Sequence, residues 1–186
     1  MSKRKYTVVT LLALLFGSCA SLAAAGDKPG DNPYGFGAPA PAALVHAWDD
    51  IVPPSGDNLP PGSGTVAGGS KVYATRCAAC HGTEGQGVPM DRLVGGQGTL
   101  GTAKPVKTVG SYWPYATTVF DYIRRAMPFN APGTLSDTDN YAVTAFLLNR
   151  NGIVPTSAVM NAKTLPAVKM PNRDNFILHD PRPDVH

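Results

Sequence analysis

The chain reads as an all-α domain held between two long irregular arms. Three observations lead there: proline and glycine crowd both ends of the sequence, helical periodicity is confined to its middle, and no convincing run of alternating strand residues appears.

The first 25 residues stand apart from the rest. Lys3, Arg4 and Lys5 make a positive start, residues 8–17 are almost entirely apolar, and Ala23-Ala24-Ala25 before Gly26 offers a small-residue cleavage site. The apolar run is short for a bilayer span, so residues 1–25 read as an export signal and the mature chain is expected in a periplasmic compartment. Phe16-Gly17-Ser18-Cys19 also loosely resembles a lipoprotein cleavage box, which would leave a lipidated Cys19 at the mature end; phenylalanine fits poorly where that box prefers leucine. The full chain carries 16 basic and 13 acidic residues, and loss of Lys3, Arg4 and Lys5 leaves 13 of each. A formally neutral polypeptide argues against nucleic acid or an anionic membrane surface as partner and leaves docking to local patches and shape.

Residues 26–65 form the first arm. Asn32-Pro33-Tyr34-Gly35-Phe36-Gly37-Ala38-Pro39-Ala40-Pro41 and Leu59-Pro60-Pro61-Gly62-Ser63-Gly64 are too rich in breakers to hold helices, so the arm is expected to be extended and irregular. Residues 66–152 carry the helical pattern. A first helix is expected over residues 69–80, with Val72, Tyr73 and Arg76 inside it and Gly82, Gly85 and Gly87 ending it. A second starts near Pro114, a favourable first-turn residue, and runs through Tyr115, Val119, Tyr122, Ile123 and Ala126 until Pro128 stops it. The third is the clearest: Ser136 is a natural N-cap, Asp137 and Asp139 suit the positive helix end, and Tyr141-Ala142-Val143-Thr144-Ala145-Phe146-Leu147-Leu148 is an apolar body before Asn151-Gly152. Residues 153–186 make a second irregular arm, with prolines at 155, 166, 171, 181 and 183.

The first helix runs into Cys77-Ala78-Ala79-Cys80-His81, a Cys-x-x-Cys-His run of the kind that attaches c-type haem. Two cysteines three positions apart can add to the two vinyl groups of one porphyrin, and the adjacent histidine then reaches the iron. On this reading Cys77 and Cys80 are the thioether anchors of a single haem and His81 is the proximal iron ligand. The same residues also allow a Cys77–Cys80 disulfide, a thioredoxin-like redox pair, or half of a zinc site. Zinc lacks a second ligand pair, because the remaining cysteine is Cys19 in the leader, and a thioredoxin motif lacks its βαβ setting.

The sixth iron position decides the chemistry. Once Met1 is lost, Met90, Met127, Met160 and Met170 remain. Met127 is favoured because Arg124-Arg125-Ala126-Met127-Pro128-Phe129 ends a helix at a proline, which would fix a loop against the distal face. A thioether there raises the reduction potential and favours electron transfer over oxygen chemistry. The competing reading of Met127 is a core gap-filler. Met90 follows the haem helix too closely, Met160 and Met170 lie in the tail, and His46, His179 and His186 lie in the arms, where surface histidines are ordinary.

Cys-x-x-Cys-His near the start of an all-α domain, Gly69 four residues before Tyr73, a Met-Pro loop and a terminal Tyr-Ala-Val-Thr-Ala-Phe-Leu-Leu helix together resemble a class I cytochrome c over residues 66–152. The resemblance implies that the first and last helices cross at the small glycine, with Gly69 and Tyr73 meeting Tyr141, Ala145 and Leu148. A narrower resemblance spans nearly the whole mature chain. Tyr34-Gly35-Phe36-Gly37 with Trp48-Asp49, Leu59-Pro60-Pro61-Gly62-Ser63-Gly64-Thr65-Val66, Lys104-Pro105-Val106-Lys107-Thr108-Val109-Gly110-Ser111-Tyr112-Trp113-Pro114-Tyr115-Ala116, Lys169-Met170-Pro171-Asn172-Arg173 and Asp180-Pro181-Arg182-Pro183-Asp184-Val185 are similar to the cytochrome c subunit of Sox-type sulfane or sulfite dehydrogenases. That family implies a molybdopterin-containing partner subunit that oxidises a sulfur centre and passes electrons singly to the cytochrome. Some members carry a second haem domain, whereas this chain has a single attachment motif.

Ordering long Pro-rich arms is costly unless they pack on something, so they are expected to wrap the haem domain and help hold the larger subunit. Trp48, Tyr112 and Trp113 are candidate anchors for that contact or are buried within the domain, and Arg124 and Arg125 are candidate propionate partners or solvated helix charges. The functional expectation is a non-catalytic electron-transfer subunit that hands electrons to a downstream acceptor. Two alternatives remain: a haem enzyme acting directly on a sulfur compound or peroxide, and an interaction module with structural haem. The enzyme would need an open distal site and acid–base groups, of which Glu84 and Asp91 are the nearest in sequence.

Overall fold

The computed structural model describes Tyr34 and residues 36–177. The leader, Cys19, His179 and His186 therefore lie outside the described residues, as does the 180–185 segment. The chain divides into two compact units, residues 1–42 and 43–186. In the first, residues 36–41 run without regular secondary structure. Among the described residues the second carries five helices and one two-stranded sheet, all but the first residue of its leading helix.

In chain order the elements are α1 (Ala42–Trp48), β1 (Ser63–Thr65), α2 (Val66–Arg76), α3 (Ala78–His81), α4 (Ala116–Ala126), α5 (Asp137–Arg150) and β2 (Val159–Asn161). The all-α class holds, with two departures. A helix, α1, interrupts the first arm because Ala42–Trp48 contains neither proline nor glycine. A short antiparallel pair also forms, Gly64 opposite Met160, which sequence alone did not signal: three residues carry no readable alternation, and the partner lies in the other arm.

Local chemistry explains where the helices begin and end. Thr65 caps α2 by accepting a hydrogen bond from Gly68 N at 3.0 Å, three residues earlier than the expected start. Cys77, at φ −124° and ψ −38°, breaks the expected continuous helix into α2 and α3. Gly82 ends α3 at φ +81°, a conformation that glycine adopts without penalty. Ser136 caps α5 by accepting from Asp139 N at 3.1 Å, while its own hydroxyl donates to the Asp139 carboxylate at 2.8 Å.

Helix α5 is the centre of the molecule. Residues 140–145 together with Leu147 and Leu148 are buried, so it is enclosed on nearly every side, as a central core helix must be. Helix α2 lies against it at Gly69, where an added methyl would collide with the Ala142 carbonyl and come within 2.7 Å of Phe146 Cβ. Gly64 of β1 abuts the Ala142 backbone in the same way. The nearest neighbours at Gly69 are thus Ala142 and Phe146 rather than the expected Tyr141, Ala145 and Leu148, with the Tyr73 and Phe146 rings 5.0 Å apart. One residue turns a helix by about 100°, and Tyr141 accordingly faces α4, its ring 4.5 Å from Phe120. Its hydroxyl reaches the arm and donates to Pro60 O at 2.8 Å.

Val52 in the first arm and several residues of the tail pack on this core. Val52 is 1% exposed, and its N–H donates to buried Asp121 on α4 at 3.0 Å. From the tail, Met160, Leu165 and Met170 are buried in the main cluster, and Asn172 Nδ2 donates to Tyr112 O at 2.8 Å.

Two predictions follow from this packing. Gly69→Ala should lower the free energy of unfolding by about 1–3 kcal/mol, read from urea denaturation, because backbone cannot yield to the new methyl. Gly68→Ala, with no neighbour nearer than 3.3 Å, should stay within about 1 kcal/mol of wild type. The second concerns Tyr73, 2% exposed, whose hydroxyl donates to Gly82 O at 2.8 Å. Burial pushes its ionisation from 10.0 to about 12. Above pH 10 the unfolded chain loses a proton that the folded chain keeps, so this contribution is intact below pH 10 and disappears as pH rises towards 12. Thermal midpoints should therefore fall between pH 10 and 12, and Tyr73→Phe should flatten that fall while costing about 1 kcal/mol at neutral pH through the lost hydrogen bond.

Candidate haem-attachment site

The Cys-x-x-Cys-His residues occupy the break between α2 and α3 and the whole of α3. Cys77 is half-buried, its N–H bonded to Tyr73 O at 2.9 Å, and Cys80 is exposed one turn further on. Both thiols are free. Burial pushes the Cys77 thiol up to about 11, with the nearby Arg76 charge opposing the shift, so it remains neutral at pH 7. His81 ends the helix, and its Nδ1 lies 2.7 Å from the Asp91 carbonyl. A carbonyl only accepts, so Nδ1 carries the proton and the Nε2 lone pair is left for a metal.

Met127 caps the C-terminal end of α4, its N–H bonded to Ile123 O at 3.0 Å. The following proline forces it out of helical geometry, to φ −122° and ψ 152°. Cys77, Ala78, Leu93, Trp113 and Met127 are all partly buried hydrophobics at the edge of the main core. The other methionines are placed differently: Met160 and Met170 are 4% and 3% exposed inside the core, and Met90 is half-exposed in the loop beyond His81.

The donor set fits a covalently held haem better than the competing readings. Two unpaired thiols one turn apart, a histidine with its distal nitrogen free and an apolar margin beside them suit a porphyrin. Among the described residues no group of three or more His, Cys, Asp or Glu side chains is arranged to hold a metal ion alone, which leaves the zinc reading unsupported.

Other residues singled out from sequence find partners within the chain. Arg124 donates to Asp50 O at 3.2 Å and pairs with Asp137 at 3.4 Å, while Arg125 forms a two-pronged contact with Asp121 at 3.0 and 3.1 Å from Nε. Both guanidinium groups are thus paired with carboxylates of the chain itself. Trp113 stacks obliquely on Tyr122 at 5.7 Å, and Tyr112 lies between Phe176 at 5.4 Å and the Lys107 ammonium at 5.0 Å. Trp48 remains 79% exposed. Glu84 is ion-paired with Arg150, and Asp91 contributes its backbone carbonyl. The role of that carbonyl was not legible in the sequence, since any residue type can supply it.

The profile of the family described as Cytochrome c matches residues 66–151. A chain in the crystal structure of the sulfane dehydrogenase SoxCD from Paracoccus pantotrophus is 45% identical, with a TM-score of 0.71, the match covering 79% of this chain and 73% of that one. Thiosulfate dehydrogenase from Stutzerimonas stutzeri (strain A1501) is 32% identical over 90 residues, 47% of this chain and 28% of that relative, so the present chain matches well under a third of its length. Family membership implies covalently bound haem c with its iron. By family profile, fold and kinship, the chain belongs to the cytochrome c family.

Proposed function

We propose that this chain is a periplasmic monohaem cytochrome that receives electrons from a molybdenum-containing sulfite or sulfane dehydrogenase subunit and passes them to a downstream acceptor, without catalysing substrate oxidation itself. The observation that carries the reading is the histidine geometry: His81 is held at Nδ1 and open at Nε2 beside two free thiols.

Each residue then has a task. Cys77 and Cys80 would tether one porphyrin through thioethers, and His81 would supply Nε2 to its iron. Met127, at the edge of the core before Pro128, would supply a thioether as the second iron ligand. When bound, haem c supplies a one-electron ferric/ferrous couple, which the methionine thioether shifts to higher potential. The kinship with a chain of SoxCD supports the dehydrogenase partner. Trp48, with half-exposed Leu44, Val45 and Ile51 around it, supports a contact surface on the first arm. Residues 1–25 direct export on this reading and are then removed.

The likeness to a thiosulfate dehydrogenase favours one second reading, a haem enzyme that oxidises a sulfur compound directly. It needs an open iron position and a free acid–base group, and the Glu84 carboxylate is engaged with Arg150.

Absorption spectra separate the two. Ferric wild-type protein should show the weak near-infrared band of methionine-ligated haem, and Met127→Ala should lose it and titrate at a lower reduction potential. A high-spin wild-type spectrum, or a band that survives in Met127→Ala, overturns the closed His–Met carrier. Replacing Cys77 and Cys80 together by serine should release the haem into acidified organic solvent, whereas the wild-type protein should retain it.

A further inference from the structure

The loop that follows the haem motif is held at both ends. At the near end, Met90 N donates to Cys80 O and Gly87 N to His81 O, each at 2.9 Å. At the far end the anchor is Asn151, the C-cap of α5 and 8% exposed. Its Oδ1 accepts from Gly95 N at 3.0 Å, and its Nδ2 donates to Leu93 O at 3.1 Å and to Leu147 O at 2.9 Å. Its backbone carbonyl accepts from Gln97 Nε2 at 3.0 Å. Gly110 presses on the other side, where an added methyl would come within 2.6 Å of Asn151 Cγ, so the amide has no room to swing.

Between these two anchors lies Asp91, whose carbonyl holds His81 Nδ1. The Asp91 side chain is exposed, so the position of its carbonyl depends on the backbone at Met90 and Leu93. Leu93 is held three times, through its N–H to Gly85 O at 2.9 Å and through its carbonyl, which accepts from Asn151 Nδ2 at 3.1 Å and more distantly from Val109 N at 3.3 Å. A primary amide suits this junction because it donates and accepts at one end of a short side chain; aspartate would lose the donor and leucine both.

We propose that Asn151 is a positioning residue for the proximal histidine: by pinning Leu93 and Gly95 it sets the hydrogen bond from His81 Nδ1 to the Asp91 carbonyl, and through it the reduction potential. The physical link is ligand basicity. A firm Nδ1–H···O=C bond makes Nε2 a better donor to ferric iron and lowers the potential; a loosened one raises it. The inference rests on the reading of His81 as an iron ligand.

The test uses the haem-loaded protein and neutral substitutions, which add no charge of their own. Asn151→Ala should raise the midpoint potential and speed solvent exchange of the His81 Nδ1 proton, followed by NMR, while keeping the near-infrared methionine band. Gln97→Ala, which removes one outer bond and is the milder change if Asn151→Ala fails to fold, should move both readouts in the same direction by less. Leu165→Ala, a core truncation in the tail, should lower stability without moving either. The inference is overturned if the Asn151 or Gln97 variants keep the wild-type potential and exchange rate, or if Leu165→Ala shifts them equally. A wild-type Nδ1 proton without a paramagnetic shift would remove His81 as the ligand, and with it the proposed function; a shifted proton with unresponsive variants would remove this inference alone.

Discussion

The close approach of α2 to α5 is the constraint on which the rest of the structure depends. At Gly69 and Gly64 the chain lies directly on the backbone of Ala142, closer than any side chain permits. That contact fixes the line of α2, and the line of α2 fixes where Cys77, Cys80 and His81 emerge. Tyr73 adds a second fastening, its ring against Phe146 and its hydroxyl on Gly82 O immediately after the histidine. The candidate haem-attachment segment is therefore carried by the helix pair with the most extensive contact among the described residues, as a site requiring fixed ligand geometry demands.

Around that pair, the candidate ligands lie at the edge of the core rather than within it. Cys77 and Met127 are half-buried, and the buried methionines 160 and 170 serve packing. A ligand must keep one side available, so the same residue type divides by depth: thioethers enclosed in the core fill space, and the one at a helix end before a proline stays presentable. His81 bonds to backbone, the Asp91 carbonyl, in a loop that is hydrogen-bonded both to Cys80 and His81 and to the C-cap of α5. The two ends of residues 66–151 are thus coupled by hydrogen bonds as well as by helix packing.

The arms complete this core. Asp121 is buried with two obligations, the Val52 N–H and the Arg125 guanidinium, and it ties the first arm to α4. The tail contributes three buried apolar side chains and one strand. Proline-rich chain loses less entropy on ordering than flexible chain does, which helps these segments pack without regular structure. Exposed ion pairs such as Arg124 with Asp50 orient the arm but contribute little to stability.

Sequence by itself determined the helical class, the cap at Ser136 and the stop at Pro128, because each rests on interactions within a few residues. It also singled out Met127, since a proline forces its neighbour out of the helix wherever the chain goes. Tertiary structure alone decided what depends on distant partners: which face of α5 meets α2, the pairing of Gly64 with Met160, the carboxylates that engage Arg124 and Arg125, and the carbonyl that holds His81. A one-residue step rotates a helix face by about 100°, and a backbone carbonyl has no side-chain identity, so neither leaves a mark in the order of the amino acids.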